Sequence, residues 1–314
     1  MIICCGEALI DMIPRVGDDG QSSYLPVTGG AVFNTAISLG RLEEDVGFFS
    51  GVSYDPFGEM IIEALQDSNV NKNFCLRNSY PTTLAFVELK DGNASYRFYD
   101  ESSAMRMIEE KNISQIPPSV LALHFGGISL IPEPCGSVYE SLLKTFASSS
   151  VISLDPNIRQ HLIFNKAKHK SRLNRMISQS DIIKVSDEDL EWMTGEANPE
   201  NLIQSWLNDY AKLVIITRGS DGLTAYTKGY KIEKEARKVE VVDTIGAGDT
   251  FNAGILSSLK RMNCLSKKSL TNLDEKTLNK CLSFAIEVAA LTVSKAGANP
   301  PWRAELKDWD KRLN

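Results

Sequence analysis

The stretch Val241-Val242-Asp243-Thr244-Ile245-Gly246-Ala247-Gly248-Asp249-Thr250-Phe251-Asn252-Ala253-Gly254 carries the densest chemistry in the chain. An apolar strand leads into Gly-Ala-Gly, and a helical pattern begins near Asp249. Small residues let backbone amides approach a ligand closely, and a helix N-terminus adds about half a positive charge. Gly246, Ala247 and Gly248 would thus form an anion hole of a kind suited to phosphate. Asp249 beside it could take a proton from an attacking hydroxyl, which is worth about 10²–10⁴ in rate. The plainer alternative is a tight turn with Asp249 as its N-cap. The stretch is not a GxxxxGK[ST] phosphate loop, and it lacks the third glycine of GxGxxG.

Other residues could complete a site. Asp11 follows an apolar first strand and could accept two hydroxyls. Gly29 and Gly30 permit main-chain approach, and the Asn34 amide both donates and accepts. Asp155-Pro156-Asn157-Ile158-Arg159 closes a strand and ends on a guanidinium able to fork onto phosphate or substrate oxygens. Lys184-Val185-Ser186-Asp187-Glu188-Asp189 follows a strand and opens an acidic helix, whose acids could equally serve the helix dipole alone. Thr217-Arg218-Gly219-Ser220-Asp221-Gly222 ends another strand in a glycine-rich turn.

Together these segments resemble a known family. Asp243-Thr244-Ile245-Gly246-Ala247-Gly248-Asp249 resembles the D-T-x-G-A-G-D signature of the ribokinase-like (PfkB) carbohydrate kinases. Gly6-Glu7-Ala8-Leu9-Ile10-Asp11 resembles that family's first strand with its substrate aspartate. Thr28-Gly29-Gly30-Ala31-Val32-Phe33-Asn34 resembles its GGxxxN element, with Thr28 where proline is common. The resemblance spans roughly residues 2–302, and its wording is closest to the bacterial fructokinase branch.

The resemblance implies a kinase using ATP and magnesium on the primary hydroxyl of a small-molecule sugar. Asp249 would be the general base, Gly246, Ala247 and Gly248 the anion hole, and Arg159 a further catalytic or substrate-binding group. The sugar would meet Asp11, Gly29, Gly30, Asn34, Phe98, Asp100 and Arg159. The nucleotide would meet Lys184, Ser186, Thr217, Gly219, Gly222, Gly246 and Gly248. Segment 184–189 resembles the family's K-x-N-x-x-E element, with Ser186 for Asn and Asp189 for Glu, so Asp189 would reach the metal through water. Residues 285–293 resemble the adenine wall, which in some members also serves a monovalent cation; no side chain here singles out potassium.

In the sugar-acid kinases of this family the comparable lid segment reads like YYRxxSA, its arginine meeting the substrate carboxylate. Here Tyr96-Arg97-Phe98-Tyr99-Asp100-Glu101-Ser102-Ser103-Ala104 places Asp100 in the arginine's position. A carboxylate repels an acid substrate and accepts neutral hydroxyls, so the expected acceptor is a neutral ketohexose, D-fructose. The alternatives are a 2-keto-3-deoxygluconate kinase, a ribose or nucleoside kinase, or a catalytically silent sugar- or nucleotide-binding relative. A lid with an apolar face (Phe86, Phe98 and neighbours) often pairs in this family, so the resemblance allows a homodimer.

Elements must position these groups. Short apolar runs at 2–8, 46–50, 121–125, 151–154, 182–185 and 213–217 alternate with amphipathic stretches at 31–42, 57–68, 138–148 and 187–194. This predicts an α/β fold, a doubly wound, mostly parallel sheet with helices on both faces. The expectation is one domain over 1–314. Segments at about 12–28 and 80–103 read instead as hairpins, the second turning at Asp91-Gly92-Asn93, and are expected to form a small β-sheet lid.

Composition narrows the classes further. The 314 residues are 43% apolar and 24% charged, which excludes a mostly disordered or low-complexity chain. Lys plus Arg at 34 against Asp plus Glu at 40 gives a net charge of −6, with no global attraction for nucleic acid or anionic membrane. No run approaches the ~18 apolar residues of a membrane span. The six cysteines lack CxxC spacing and the three histidines lack paired-ligand spacing, which argues against zinc. Scattered thiols without an export leader point to the cytoplasm.

Overall fold

The computed structural model describes residues 1–17, 19–90, 93–195, 199–306 and 309. β1 (Ile2–Cys5) leads through Gly6-Glu7-Ala8 into β2 (Leu9–Val16), which hairpins onto β3 (Ser22–Gly29). Then come α1 (Ala31–Arg41), β4 (Val46–Ser53), α2 (Pro56–Asp67) and β5 (Cys75–Asn78), before a second hairpin, β6 (Leu84–Lys90) and β7 (Asn93–Tyr99). The middle of the chain runs β8 (Ala122–Gly126), α3 (Cys135–Phe146), β9 (Val151–Asp155), α4 (Lys166–Ile177), β10 (Ile182–Ser186) and α5 (Asp187–Thr194). The rest comprises α6 (Glu200–Asp209), β11 (Leu213–Thr217), β12 (Leu223–Tyr226), β13 (Lys231–Lys234), α7 (Ala247–Arg261), α8 (Lys267–Thr271) and α9 (Glu275–Val293).

Among the described residues the central sheet has the order β13-β12-β11-β10-β9-β8-β1-β4-β5. It is parallel from β11 through β5, and β12 and β13 are added antiparallel. Successive strand residues face opposite layers, as the pleat requires. Ile2 and Cys4 enter one core with Phe33, Phe251 and Phe284, whereas Ile3 and Cys5 enter the other with Tyr139, Leu173 and Trp206. Leu213 and Ile215 divide from Val214 and Ile216 in the same way. The expected doubly wound sheet is present.

α7 lies between α1 and α9 in the first layer. A Cβ at Gly254 would come 2.6 Å from the Ala285 Cα, so the glycine allows α7 and α9 to touch backbone to backbone. α2 begins in the usual way: Asp55 accepts the Gly58 N–H at 2.7 Å, and Pro56 follows at the first helical position. The same carboxylate accepts the Thr82 N–H at 2.8 Å, tying this helix to the base of the second hairpin.

The lid is a separate sheet in the order β3-β2-β6-β7. It corrects two expectations. The first strand stops at Cys5, not residue 8, because the chain turns at Gly6 and Glu7 to leave the central sheet. Asp11 therefore does not end a central strand: it lies within β2, registered between Val27 of β3 and Ala85 of β6. The first hairpin accordingly starts at Leu9. Residues 91 and 92 of the expected turn lie outside the described residues.

Candidate active site

The C-terminal ends of β1, β9, β10 and β11 open on one side of the sheet, where ligands bind in open α/β folds. The lid and the start of α7 complete the walls of a cleft of about 500 Å³. Asp11, Gly30, Asn34, Phe98, Arg159, Lys184, Ser186, Asp189, Thr217, Gly219, Gly246, Ala247, Gly248 and Asp249 all line it. A second, largely apolar cavity of about 540 Å³ shares Thr217, Gly219, Ala247 and Gly248 with the first. It takes in Gly222 and is walled by Phe251, Ile286, Ala289, Ala290 and Val293.

Asp249 is the junction of the two halves of the chain. It lies at the third position of α7, which starts at the left-handed Gly246 (φ 78°). Its Oδ2 accepts from Asn34 Nδ2 at 2.9 Å and its Oδ1 from Asn157 Nδ2 at 3.4 Å. Thr35 Oγ1 donates to the Asp249 carbonyl at 3.1 Å, fixing α1 to α7. Burial pushes the carboxyl pKa up to about 7, with the Asn34 hydrogen bond opposing and the nearby Asp155 assisting. A carboxylate poised near neutrality suits general-base work.

The helix start modifies the expected anion hole. The Ala247 N–H is engaged with the Thr244 carbonyl at 3.3 Å, while the Thr250 N–H closes the first helical bond to Gly246. The Gly248 and Asp249 amides, at the second and third helical positions, have no carbonyl of their own helix to bond. Asp243 braces the loop: its Oδ1 accepts from Ile245 N and its Oδ2 from Gly297 N, each at 3.0 Å.

On the lid side, the Asp11 carboxylate is mostly buried, and desolvation raises its pKa to about 6. Gly29 is behind it rather than in the cleft; a Cβ there would collide with Asp11 Oδ2. Gly30 (φ 115°) abuts the Glu7 carbonyl and starts α1. Phe98 faces His161 with ring centroids 6.1 Å apart. Asp100 does not join these groups. It turns toward Arg106, 3.8 Å away, and lines a smaller adjoining cavity beyond Phe98 and Ile128.

Ser186 caps α5 by accepting the Asp189 N–H at 3.0 Å. Asp189 Oδ1 accepts from Ile158 N at 3.1 Å, and burial, then Asp155, raises its pKa to about 6. Lys184 is buried and donates to Asp155 Oδ2 at 3.0 Å.

Several participants escaped the sequence reading. Asp155 and Asn157 belong to a segment that resembles the family's DxNxR element but whose chemistry is assigned to its arginine alone. Asn252 follows Asp249 by three residues, hence on the same helix face, and donates to Asp155 at 2.7 Å. Glu7, fully buried, receives the Ala31 and Ser129 amides and so joins β1 to α1. Its place in a strand-end motif was the available signal. Among the described residues no cluster of three or more His, Cys, Asp or Glu could hold a metal, and no helix is long and apolar enough to cross a membrane.

Residues 1–305 match the pfkB family carbohydrate kinases. A fructokinase of Rhizobium leguminosarum bv. trifolii is 51% identical over 88% of this chain and 85% of its own length. Fructokinase-2 of Zea mays is 32% identical over 96% of this chain and 90% of its own. Among solved structures, a Xylella fastidiosa fructokinase with bound ATP is 27% identical, covers 99% of this chain and 98% of its own, and has a TM-score of 0.90. A Vibrio cholerae fructokinase holding fructose, ADP and calcium is 25% identical over 98% of each chain, with a TM-score of 0.83.

Proposed function

This chain belongs to the pfkB family of carbohydrate kinases, and we propose that it transfers the γ-phosphoryl group of ATP to the 6-hydroxyl of D-fructose, with Asp249 as general base. The observation that carries the reading is the buried Asp249 carboxylate, held by two asparagine amides where a helix begins at the meeting of two cavities. Relatives at 51% and 32% identity are fructokinases, which favours fructose over the other sugars.

The sugar occupies the first cavity between Asp11, Gly30, Asn34, Phe98 and Arg159. Asp11 accepts hydroxyls, and the Asn34 carbonyl oxygen accepts another while its amide holds Asp249. The nucleotide occupies the second cavity: its apolar wall suits a base, and Gly219, Gly222 and Thr217 lead its phosphates toward Gly248. Asp249 takes the proton of the terminal hydroxyl as that oxygen attacks. The Gly248 and Asp249 amides and Arg159 then stabilise charge on the transferring group, so most of the catalysis is positioning and electrostatics.

The donor set suits magnesium carried in by the triphosphate rather than caged by protein: single acids, with Asp189 in reach through water. When bound, the ion neutralises charge on the terminal phosphates. Closure of the lid would exclude water and suppress ATP hydrolysis. A homodimer through the outer lid face, where Tyr24 and Tyr99 pack on Phe86 and remain exposed, and a cytoplasmic location accompany this reading.

A coupled ADP-release assay with magnesium-ATP against fructose, ribose, 2-keto-3-deoxygluconate and adenosine tests it. Fructose is expected to give the highest kcat/KM. Preference for the sugar acid or the nucleoside overturns the acceptor, and silence on all four overturns the kinase assignment for this set.

A further inference from the structure

At the cleft floor lies a buried polar cluster centred on Asp155, a residue to which no substrate contact is assigned. Asp155, at the end of β9, is 2% exposed. Its Oδ2 accepts from Lys184 Nζ at 3.0 Å and from Asn252 Nδ2 at 2.7 Å, and its Oδ1 accepts the Asn157 N–H at 3.2 Å. Each donor leads to a reacting element. Asn252 is one turn beyond Asp249 in α7. Asn157 adopts a left-handed backbone (φ 42°), uncommon for a residue other than glycine, and from it donates to Asp249. Lys184 Nζ lies only 3.0 Å from where a Cβ on Gly248 would stand, directly against the first turn of α7.

We infer that Asp155 is a positioning residue for phosphoryl transfer: it holds the Lys184 ammonium behind the Gly248 amide, and it sets the Asn157 turn that orients the Asp249 carboxylate. The inference rests on the kinase reading above and assigns to Lys184 a fixed place under the anion hole instead of a mobile grip on the nucleotide. A buried ammonium is held charged only where a counter-charge compensates its lost hydration. Burial would discharge Lys184; the charge and hydrogen bond of Asp155, with the charges of Asp189 and Asp249 added, outweigh it and raise the lysine pKa above the ordinary value. The positive charge is therefore in place before reaction, where negative charge develops on the transferring group. Asn252 makes the contact reciprocal, because the carboxylate that holds the lysine also anchors the helix presenting the base.

The test is a double-mutant cycle of Asp155→Asn and Lys184→Met, with Asp249→Asn in parallel, reading kcat and both KM values. Asp155→Asn and Lys184→Met are each expected to lower kcat at least 30-fold, with KM for fructose and ATP within threefold. The double variant is expected to turn over no more slowly than Lys184→Met, since one residue acts through the other. It also removes both charges together, which buried pairs tolerate better than loss of one partner, so it reads the inference even where Asp155→Asn does not fold. A double variant within threefold of the parent overturns the inference, as do losses that multiply or that fall on KM alone. Failure of the base assignment shows separately, as near-parental turnover by Asp249→Asn.

Discussion

Asn34 Nδ2 and Asp249 Oδ2 are 2.9 Å apart across 215 positions of chain. The bond joins the first helix after the lid hairpin to the helix that starts at Gly246. It orients the carboxylate without neutralising it. Asp249→Asn keeps the shape but removes the proton acceptor, so kcat for sugar phosphorylation is expected to fall at least 10²-fold with the sugar KM within about threefold. Steady-state kinetics on the purified variant checks this; near-normal turnover removes Asp249 from the mechanism.

The pH profile follows from the same group. Only the ionised carboxylate accepts a proton, and its pKa is raised to about 7, burial being the main cause. The kcat/KM for sugar should therefore rise with pH to about 7 and level off above it. Asn34 holds that pKa down by its hydrogen bond, so Asn34→Ala should move the acid limb to higher pH. An acid limb in the ordinary aspartate range near 4 would contradict the assignment.

Gly246 tests the anion hole through the backbone. It adopts φ 78°, and a Cβ there would lie 2.9 Å from that of Ala298. The left-handed conformation costs a non-glycine residue about 1–2 kcal/mol, and the contact adds to it. Gly246→Ala is expected to lower kcat more than tenfold and Tm by a few degrees, with the sugar KM little changed. Activity within twofold of the parent would show that the helix start tolerates displacement.

The sequence disclosed the site more fully than its supports. The Asp249 loop was legible because glycine, alanine and aspartate at a helix start have few other uses; the strand expected before it is instead an irregular segment, with Val241 and Val242 exposed and, among the described residues, unpaired with any strand. The parallel strands were legible because residues buried on both faces read as apolar runs. Asp11 was found but given the wrong strand, since the apolar residues on both sides of Gly6-Glu7 read as one continuous run across the turn where the chain leaves the sheet. α4 passed unnoticed because its buried face includes His169 and Arg172 beside Leu173 and Met176, which conceals the apolar period. Asp155, Asn157 and Asn252 were invisible as a unit, because their partners are set by topology and not by spacing.

The lid resemblance, with Asp100 at the position of the sugar-acid kinases' arginine, points this carboxylate at the sugar. The structure turns it to Arg106 and into the adjoining cavity. At about 30% exposure on each side, that pair contributes little to stability. Asp100→Asn is accordingly expected to leave fructose kcat and KM within threefold, and to confer no activity on a sugar acid. A tenfold rise in fructose KM would return Asp100 to the substrate contacts.

Asp249 should also leave a mark on stability. Its folded pKa of about 7 exceeds the ordinary aspartate value of about 3.9, so the folded state binds this proton more tightly than the unfolded chain does. The group therefore contributes most to stability at low pH, and that contribution is lost as pH rises from about 4 to about 7. Asp249→Asn does not ionise and loses nothing across that window. The Tm of the variant relative to the parent should consequently climb between pH 4 and 7 and stay level above it, as functional sites that hold a charge out of water predict. Scanning calorimetry of both proteins over that range reads the difference. A relative Tm independent of pH would mean that the carboxylate ionises in the folded protein as readily as in the unfolded one, and the buried-base argument would fall with it.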